Sequence, residues 1–273
     1  MSDWDAWIGR GSTTRTWLDP DQANRMAETL DRETGFASGD PVPPGWHWLY
    51  GPDLVRASQL GPEGHPRLGT VLPPVGLPRR MWAGGTLSFQ RPLLLGTTVE
   101  RHTTIRSVQP KTGRSGPLCF VTVEHAWRTG GAVNLVEQQT IVYRELTPDA
   151  EVPAAGAAPT DAGFTTRWAL DSTALFRYSA LTFNGHRIHY DADYCRRVEH
   201  YPDLVIHGPL IATLLLDLAV RHGRSPAGFS YRARSPLFLP HPFTVNGRAS
   251  GDRTALWACD HAGGLAMTGE VWE

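Results

Sequence analysis

Cysteine is scarce: three residues in 273, Cys119, Cys195 and Cys259, widely spaced and odd in number, with no CxxC pair. Neither a disulfide framework nor a cysteine zinc site is indicated, and the three read as buried thiols in a reducing compartment. An excess of charge of one sign is also lacking. The 26 Lys+Arg against 27 Asp+Glu leave a net charge of -1, without the broad positive field that a nucleic-acid binder uses. A small anionic ligand stays open, because a few arginines converging on one pocket do not show in the overall charge. The opening MSDWDAWIGRG has no basic start followed by an apolar run, and no stretch reaches the roughly 18–20 apolar residues of a membrane span. The expectation is a soluble, cytoplasmic protein with neither a nucleic-acid nor a membrane partner. There is no HExxH or comparable ligand spacing, no phosphate loop and no GxGxxG after a strand, so no metal and no nucleotide cofactor is expected.

What is present suffices for two halves of about 130 residues, each able to bury its own core. Residues 19–34 read as an amphipathic helix, with Asp19 as cap, Pro20 in the first turn and Gly35 just past the end. Residues 39–80 are crowded with Pro and Gly and carry Trp46, Trp48 and Tyr50, which predicts an ordered loop region. Its GWHWLY segment is either a lining for a ligand channel or a plug filling a half that lacks an apolar helix. The plug is the preferred reading. Residues 82–145 alternate as four strands with Gly-rich turns, an antiparallel meander. Residues 146–162, rich in Ala and Pro without periodicity, predict a linker. In the second half, GPLIATLLLDLAVRHG at 208–223 is apolar nearly all round, the mark of a buried helix. Strand-like stretches follow at 228–239, 242–250, 253–260 and 264–273. The expected class is α+β, a double hotdog: two antiparallel sheets each wrapping a helix, with halves 1–145 and 163–273. No clear repeat links the halves, so duplication rests on element order alone.

The densest chemical signal is FRYSALTFNGHRIHYD, which places Tyr178, Asn184, His186, Arg187, His189 and Asp191 within sixteen residues. A bland reading has these groups capping and solvating a loop. Beyond them, VIHGP leads into the apolar helix and puts His207 and the Gly208 N–H at the positive end of a helix dipole. Pro209 has no N–H, which leaves Gly208 as donor to a polarised carbonyl. His189 can exchange a proton near neutral pH, whereas Asn184 can only orient water through its amide. Adding water to an enoyl thioester needs a carbonyl polariser, a base and an acid, and this segment offers a candidate for each.

At these residues the chain resembles the MaoC-like, R-specific enoyl-CoA hydratase family, whose signature runs Asp-x-Asn-Pro-x-His. Placing the signature histidine on His189 puts its aspartate at Asn184, a departure that leaves His189, or a neighbour such as His186 or Asp191, to move the proton. RYSALTFNGHRIHYD with HGPL is closer to a branch containing 3-hydroxyacyl-thioester dehydratases and mesaconyl-C4-CoA hydratases, where the asparagine belongs to the pattern. GWHWLY, LGPEGHPRLGTVLPPVGLPRRMWAGG and FQRPLLLG resemble the domain fused ahead of the catalytic one in that branch. The resemblance implies reversible hydration of a 2-enoyl-CoA, with mesaconyl-C4-CoA or itaconyl-CoA giving citramalyl-CoA, and CoA entering only as part of the substrate. Hotdog halves commonly pair, so one chain can complete the unit, and a further homodimer remains open. A free carboxylate on the substrate asks for a cation, with Arg79, Arg80 and Arg187 as candidates against a solvated-surface reading. Fatty-acid-type dehydration, a hotdog thioesterase using Asp217, and a non-catalytic thioester-binding module are the alternatives. His47 and His65 read as ordinary hydrogen-bonding residues.

Overall fold

The computed structural model describes residues 4–113, 116–145 and 155–273. The first half carries β1 (Gly11–Trp17), α1 (Pro20–Thr29), β2 (Arg79–Phe89), β3 (Thr98–Gly113), β4 (Gly116–Thr129) and β5 (Ala132–Arg144). The second carries β6 (Phe164–Trp168), α2 (Ser172–Leu181), α3 (Ala192–Arg197), α4 (Gly208–Arg221), β7 (Gly228–Ala233), β8 (Phe243–Ser250), β9 (Arg253–Cys259) and β10 (Leu265–Trp272). All ten strands join one antiparallel sheet in the order β1-β3-β4-β5-β2-β7-β10-β9-β8-β6. Within each half the spatial sequence is first, third, fourth, fifth, second strand, so the two halves meet back to back through their second strands. This is the double hotdog.

At the seam, Gly84 pairs with Arg232 and Gly85 with Tyr231. A Cβ on Gly84 would lie 2.6 Å from the Tyr231 carbonyl oxygen, and one on Gly85 would lie 2.4 Å from that of Gln138. Strand pairing this tight admits only glycine. The meander expected over 82–145 holds for β3, β4 and β5. The first strand of that stretch instead lies beyond β5, because it must pair with both halves. The edge strand β1 lies in a stretch for which no strand was predicted, and exposure of nearly all of it explains why no alternation marks it.

The apolar helix sits where its composition demands. In α4, Leu210, Ile211, Leu214, Leu215, Leu216 and Leu218 are all at most 3% exposed, each burial contributing roughly 1.5–3 kcal/mol. The helix packs on β8, β9 and β10. The first half has no such helix. Asp19 does cap α1, its Oδ1 accepting from the Asp21 N–H at 3.0 Å, but the helix ends at Thr29 rather than at residue 34. Asp31 takes a left-handed φ of 53°. Asn24 then reels the following chain back, accepting from Gly35 and Phe36 N–H at 2.9 Å. The place of a central helix is taken by one short 3-10 turn, Trp46–Tyr50, with Trp46, His47, Leu49 and Tyr50 buried. Gly45 (φ 86°) brings this turn against the other half's helix, where a Cβ would lie 3.1 Å from Leu216 Cδ1. Gln22 fastens its far end, donating to the carbonyls of Leu49 (2.6 Å) and Leu181 (2.8 Å). One hydrophobic core runs through both halves as a result.

Of the expected linker, residues 146–154 lie outside the described residues. Residues 155–162 carry one bridge, Ala157 to Gly264. No helix among the described residues is long and apolar enough to cross a membrane.

Candidate active site

A cavity of about 840 Å³ opens between the halves, lined by β2 and the 51–72 loop on one side and by the 176–209 segment on the other. The chemically dense segment is partly helical, contrary to a plain loop reading: α2 covers it as far as Leu181, capped by Asp171, whose Oδ1 accepts from Ala174 N–H at 2.8 Å. Phe183 then adopts φ 52°, and the chain turns through Asn184 into a 3-10 turn, Arg187–His189.

His189 is buried, and its Nδ1 lies 2.7 Å from the Val205 carbonyl. A carbonyl only accepts, so Nδ1 holds the proton and Nε2 keeps a free lone pair. Burial pushes the imidazole down to about 4, partly offset by the Val205 carbonyl, and the ring is neutral at pH 7. Its plane stacks on His207 with centroids 3.6 Å apart, and His207 Nε2 is 2.7 Å from Ser179 Oγ. His186 completes the row on the other side, its centroid 5.6 Å from that of His189. Burial first, then His189 and Arg80, lower it to about 2. A row of neutral, closely spaced rings disfavours charge on any one of them.

Asn184 lines the same cavity. Its Oδ1 accepts from the His186 N–H at 3.0 Å, which assigns the amide orientation and leaves the Nδ2 hydrogens for a ligand or water. Gly208, the first residue of α4, also lines the cavity, and no described acceptor takes its N–H. Trp82 of β2 lies so close that a Cβ on Gly208 would be 2.8 Å from its Cε3. Trp82 in turn stacks on Tyr231 at 4.4 Å. Tyr178 lines the cavity with a buried hydroxyl that has no hydrogen-bond partner, and burial pushes its pKa up.

The structure brings Asn184, His189, Gly208, Tyr178, His186, Arg79 and Arg80 to the cavity wall, with His207 directly behind His189. It does not bring Arg187 and Asp191 there. They pair with each other at 2.7 Å, and Asp191 Oδ1 accepts from the Tyr194 N–H at 2.9 Å as the cap of α3. Asp191 is therefore fixed as an ionised cap, held below the usual carboxylate range by that N–H and by Arg187, and not as a base. Arg79 is buried against Glu199, Nε to Oε2 at 3.0 Å. Arg80 faces the cavity with no carboxylate partner among the described residues.

Two contributors come from the first half, and of their residues His65 was expected only to make ordinary hydrogen bonds. The 61–66 loop of the first half forms one wall: the Arg187 N–H donates to the Glu63 carbonyl at 2.9 Å, and the His65 ring lies 4.2 Å from that of His186. Gly64 (φ 92°) passes so close that a Cβ would be 1.9 Å from the Gly185 carbonyl oxygen. The second is Trp48, one ring of the Trp-rich segment. Trp46, Leu49 and Tyr50 plug the half, while Trp48 lines the cavity, so both readings of that segment hold for different residues. Asp217 does not line the cavity and is bound to Arg32, which removes the acid a thioesterase reading needs.

Comparison with known proteins fits this geometry. The chain is 43% identical over 99% of its length, and 98% of the relative's, to a mesaconyl-C4-CoA hydratase of Chloroflexus aurantiacus. A MaoC-like dehydratase of Phytophthora capsici shares the fold with a TM-score of 0.72 at 14% identity, covering 100% of this chain and 99% of that one. A Mycobacterium tuberculosis protein described as a double hotdog superposes with a TM-score of 0.56 at 14% identity, over 97% and 96% of the two chains. The sequence pattern of hydroxyacyl-thioester dehydratase type 2 matches residues 45–239, a span that begins at the Trp-rich plug and includes the whole 176–209 wall of the cavity. The chain belongs to the hydroxyacyl-thioester dehydratase type 2 family.

Proposed function

We propose that this protein is a hydro-lyase that reversibly adds water across the double bond of a short 2-enoyl-CoA carrying a free carboxylate, with mesaconyl-C4-CoA or itaconyl-CoA as substrate and citramalyl-CoA as product. The observation that carries the reading is the His189 tautomer, a desolvated imidazole with its Nε2 lone pair free, on the same cavity wall as the Asn184 amide and the Gly208 N–H.

In the hydration direction the thioester carbonyl accepts from Gly208 N–H, where the α4 dipole favours the negative charge that develops on oxygen. Asn184 Nδ2 donates to the attacking water. His189 Nε2 takes one proton of that water while the hydroxyl bonds to C3, and the electron pair of the C2–C3 bond moves toward C2 and the carbonyl. The imidazolium then returns the proton to C2, so the elements of one water end on the product and the site is restored. One base on one wall makes addition of the hydroxyl and the proton to the same face the expected outcome. Dehydration of a 3-hydroxyacyl thioester runs the same steps backward, in keeping with the family's description.

The substrate carboxylate is assigned to Arg80, because the other two candidate cations already pair with Glu199 and Asp191. CoA takes part as a portion of the substrate. Purified protein incubated with mesaconyl-C4-CoA, itaconyl-CoA and crotonyl-CoA, beside the His189→Ala variant, tests the reading by loss of enoyl-thioester absorbance and by product mass. A gain of one water on a dicarboxylic substrate, abolished in the variant, is expected. Release of free CoA, or turnover of crotonyl-CoA alone, would overturn it.

A further inference from the structure

Behind the cavity, in the half without catalytic groups, lies a buried carboxylate that the reaction does not use. Glu137 of β5 is 1% exposed. On β5 it shares the parity of Leu135, Gln139, Ile141 and Tyr143. Its Oε1 accepts from Trp48 Nε1 and from Gln139 Nε2, each at 2.7 Å, and its Oε2 lies 3.3 Å from His47 Nε2. Burial alone would raise this carboxyl, but the His47 contact, with help from His125 and Gln139, holds it down at about 2. An ionised group in a core is tolerated only when its oxygens are satisfied, and here two of the three partners, those of Oε1, belong to the cavity wall. Trp48 and Gln139 both line it.

The Trp48 indole stands edge-on to Trp82 and to Tyr231, with centroids 5.8 and 6.1 Å away. Trp82 is the ring against Gly208, so Trp48 lies one aromatic layer from the carbonyl-polarising amide. Trp48 is partly buried and packs against the hydrophobic core to which Trp46, Leu49, Trp127 and Leu135 of the first half belong. Trp48 thus has the cavity on one side and this core packed against it.

We propose that Trp48 is the residue that limits acyl length in this site, and that Glu137 is a positioning residue that holds the indole across the cavity through Nε1. The inference rests on the thioester reading above.

Calorimetric binding of non-reacting butyryl-CoA and octanoyl-CoA to the full chain tests it without requiring turnover. Each methylene newly accommodated in an apolar pocket is worth roughly fourfold in affinity, so Trp48→Ala should raise the octanoyl-to-butyryl affinity ratio at least about tenfold. Glu137→Leu should move the ratio the same way by a smaller factor, while Glu137→Gln, which keeps an acceptor oxygen, should stay near wild type. A merely structural role for Glu137 would lower stability in both variants without moving the ratio. Should Trp48→Ala fail to fold, Trp48→Leu retains apolar bulk while shortening the wall, and is expected to shift the ratio as well. An unchanged ratio in the folded Trp48 variants overturns the proposal. Failure of wild type to bind either thioester would instead overturn the functional reading itself.

Discussion

The two halves of this chain share one strand permutation and differ in what fills it. Between its first and second strands the second half places α2, α3 and α4; between the same strands the first half places α1 and a long loop with a 3-10 plug. The second half is helix-filled, and its cavity face carries a neutral histidine and a free helix-terminal amide. Inside the first half the cross-strand ladder Thr103–His125–Glu137 runs through the sheet, with Arg101 5% exposed nearby and bound to Asp53 at 2.9 Å. Buried charge there is paired, Glu137 with His47 and Arg101 with Asp53, while Arg80 of the same half faces the cavity; in the other half His189, Asn184 and the Gly208 N–H are left open toward it. Equal topology is compatible with unequal chemistry, because chemistry resides in the connections and not in the sheet.

The comparison breaks most sharply at the histidines. His189→Ala should lower kcat by roughly 10²–10⁴-fold with unchanged circular dichroism, whereas His125→Ala, whose ring bonds Thr103 at 2.8 Å, should lower Tm while kcat per folded molecule stays within about threefold. Comparable losses of kcat at both positions would mean that the first half takes part in the chemistry. Arg80→Gln tests whether that half selects substrate: loss of one charged hydrogen bond, roughly 1.5–3 kcal/mol, predicts about a tenfold to hundredfold fall in kcat/KM for a dicarboxylic enoyl-CoA relative to crotonyl-CoA.

Gly64→Ala probes the contact of the first-half loop with the site. Its positive φ and the 1.9 Å approach to the Gly185 oxygen require the loop to move off the Asn184 segment, and about a tenfold loss of kcat/KM is expected from a strain of ~1–2 kcal/mol. Retention of full activity would show that the loop is not a wall of the working site.

The smallest effect is in pH. With His189 held near 4 by burial, kcat/KM should stay flat as pH falls through 6.5. The sign for stability is opposite to that of a charged, paired histidine. Because the folded value lies below the unfolded 6.5, the contribution of neutral burial is complete above pH 6.5 and is lost as pH falls toward 4. Acid melts between pH 7 and 4 should therefore show declining Tm while activity at 25 °C persists; an activity midpoint near 6.5 would mean a solvated His189.

Much of this was legible in the sequence, and the failures have physical causes. The apolar circumference of α4 and the strand-like patterns of the eight strands β2–β5 and β7–β10 are local signals in the sequence. The residues that line the cavity from 178 to 208 stand close together in the chain and match a known signature. The pairing of β2 with β5 and β7 was not legible, since register depends on partners remote in sequence. The short helices α2 and α3 are hidden by the polar residues they carry. Arg187 and Asp191 looked like site residues because proximity in sequence does not say which way a side chain faces: four residues apart, they satisfy each other. His65 gave no signal, since only a loop from the other half brings it to His186. Glu137 did give one, being the charged member of its alternating row on β5, with Leu135, Gln139, Ile141 and Tyr143.

The back-to-back seam at Gly84 and Gly85 has a consequence for how this molecule can vary. In an assembly of two identical subunits related by a twofold axis, any substitution is made twice, and each must suit both copies. Here both copies of the strand pattern lie on one chain, so a change in the plug is not repeated beside His189. Covalent fusion thus releases each half from self-complementarity, and the two can be redesigned separately as long as the glycine seam is kept.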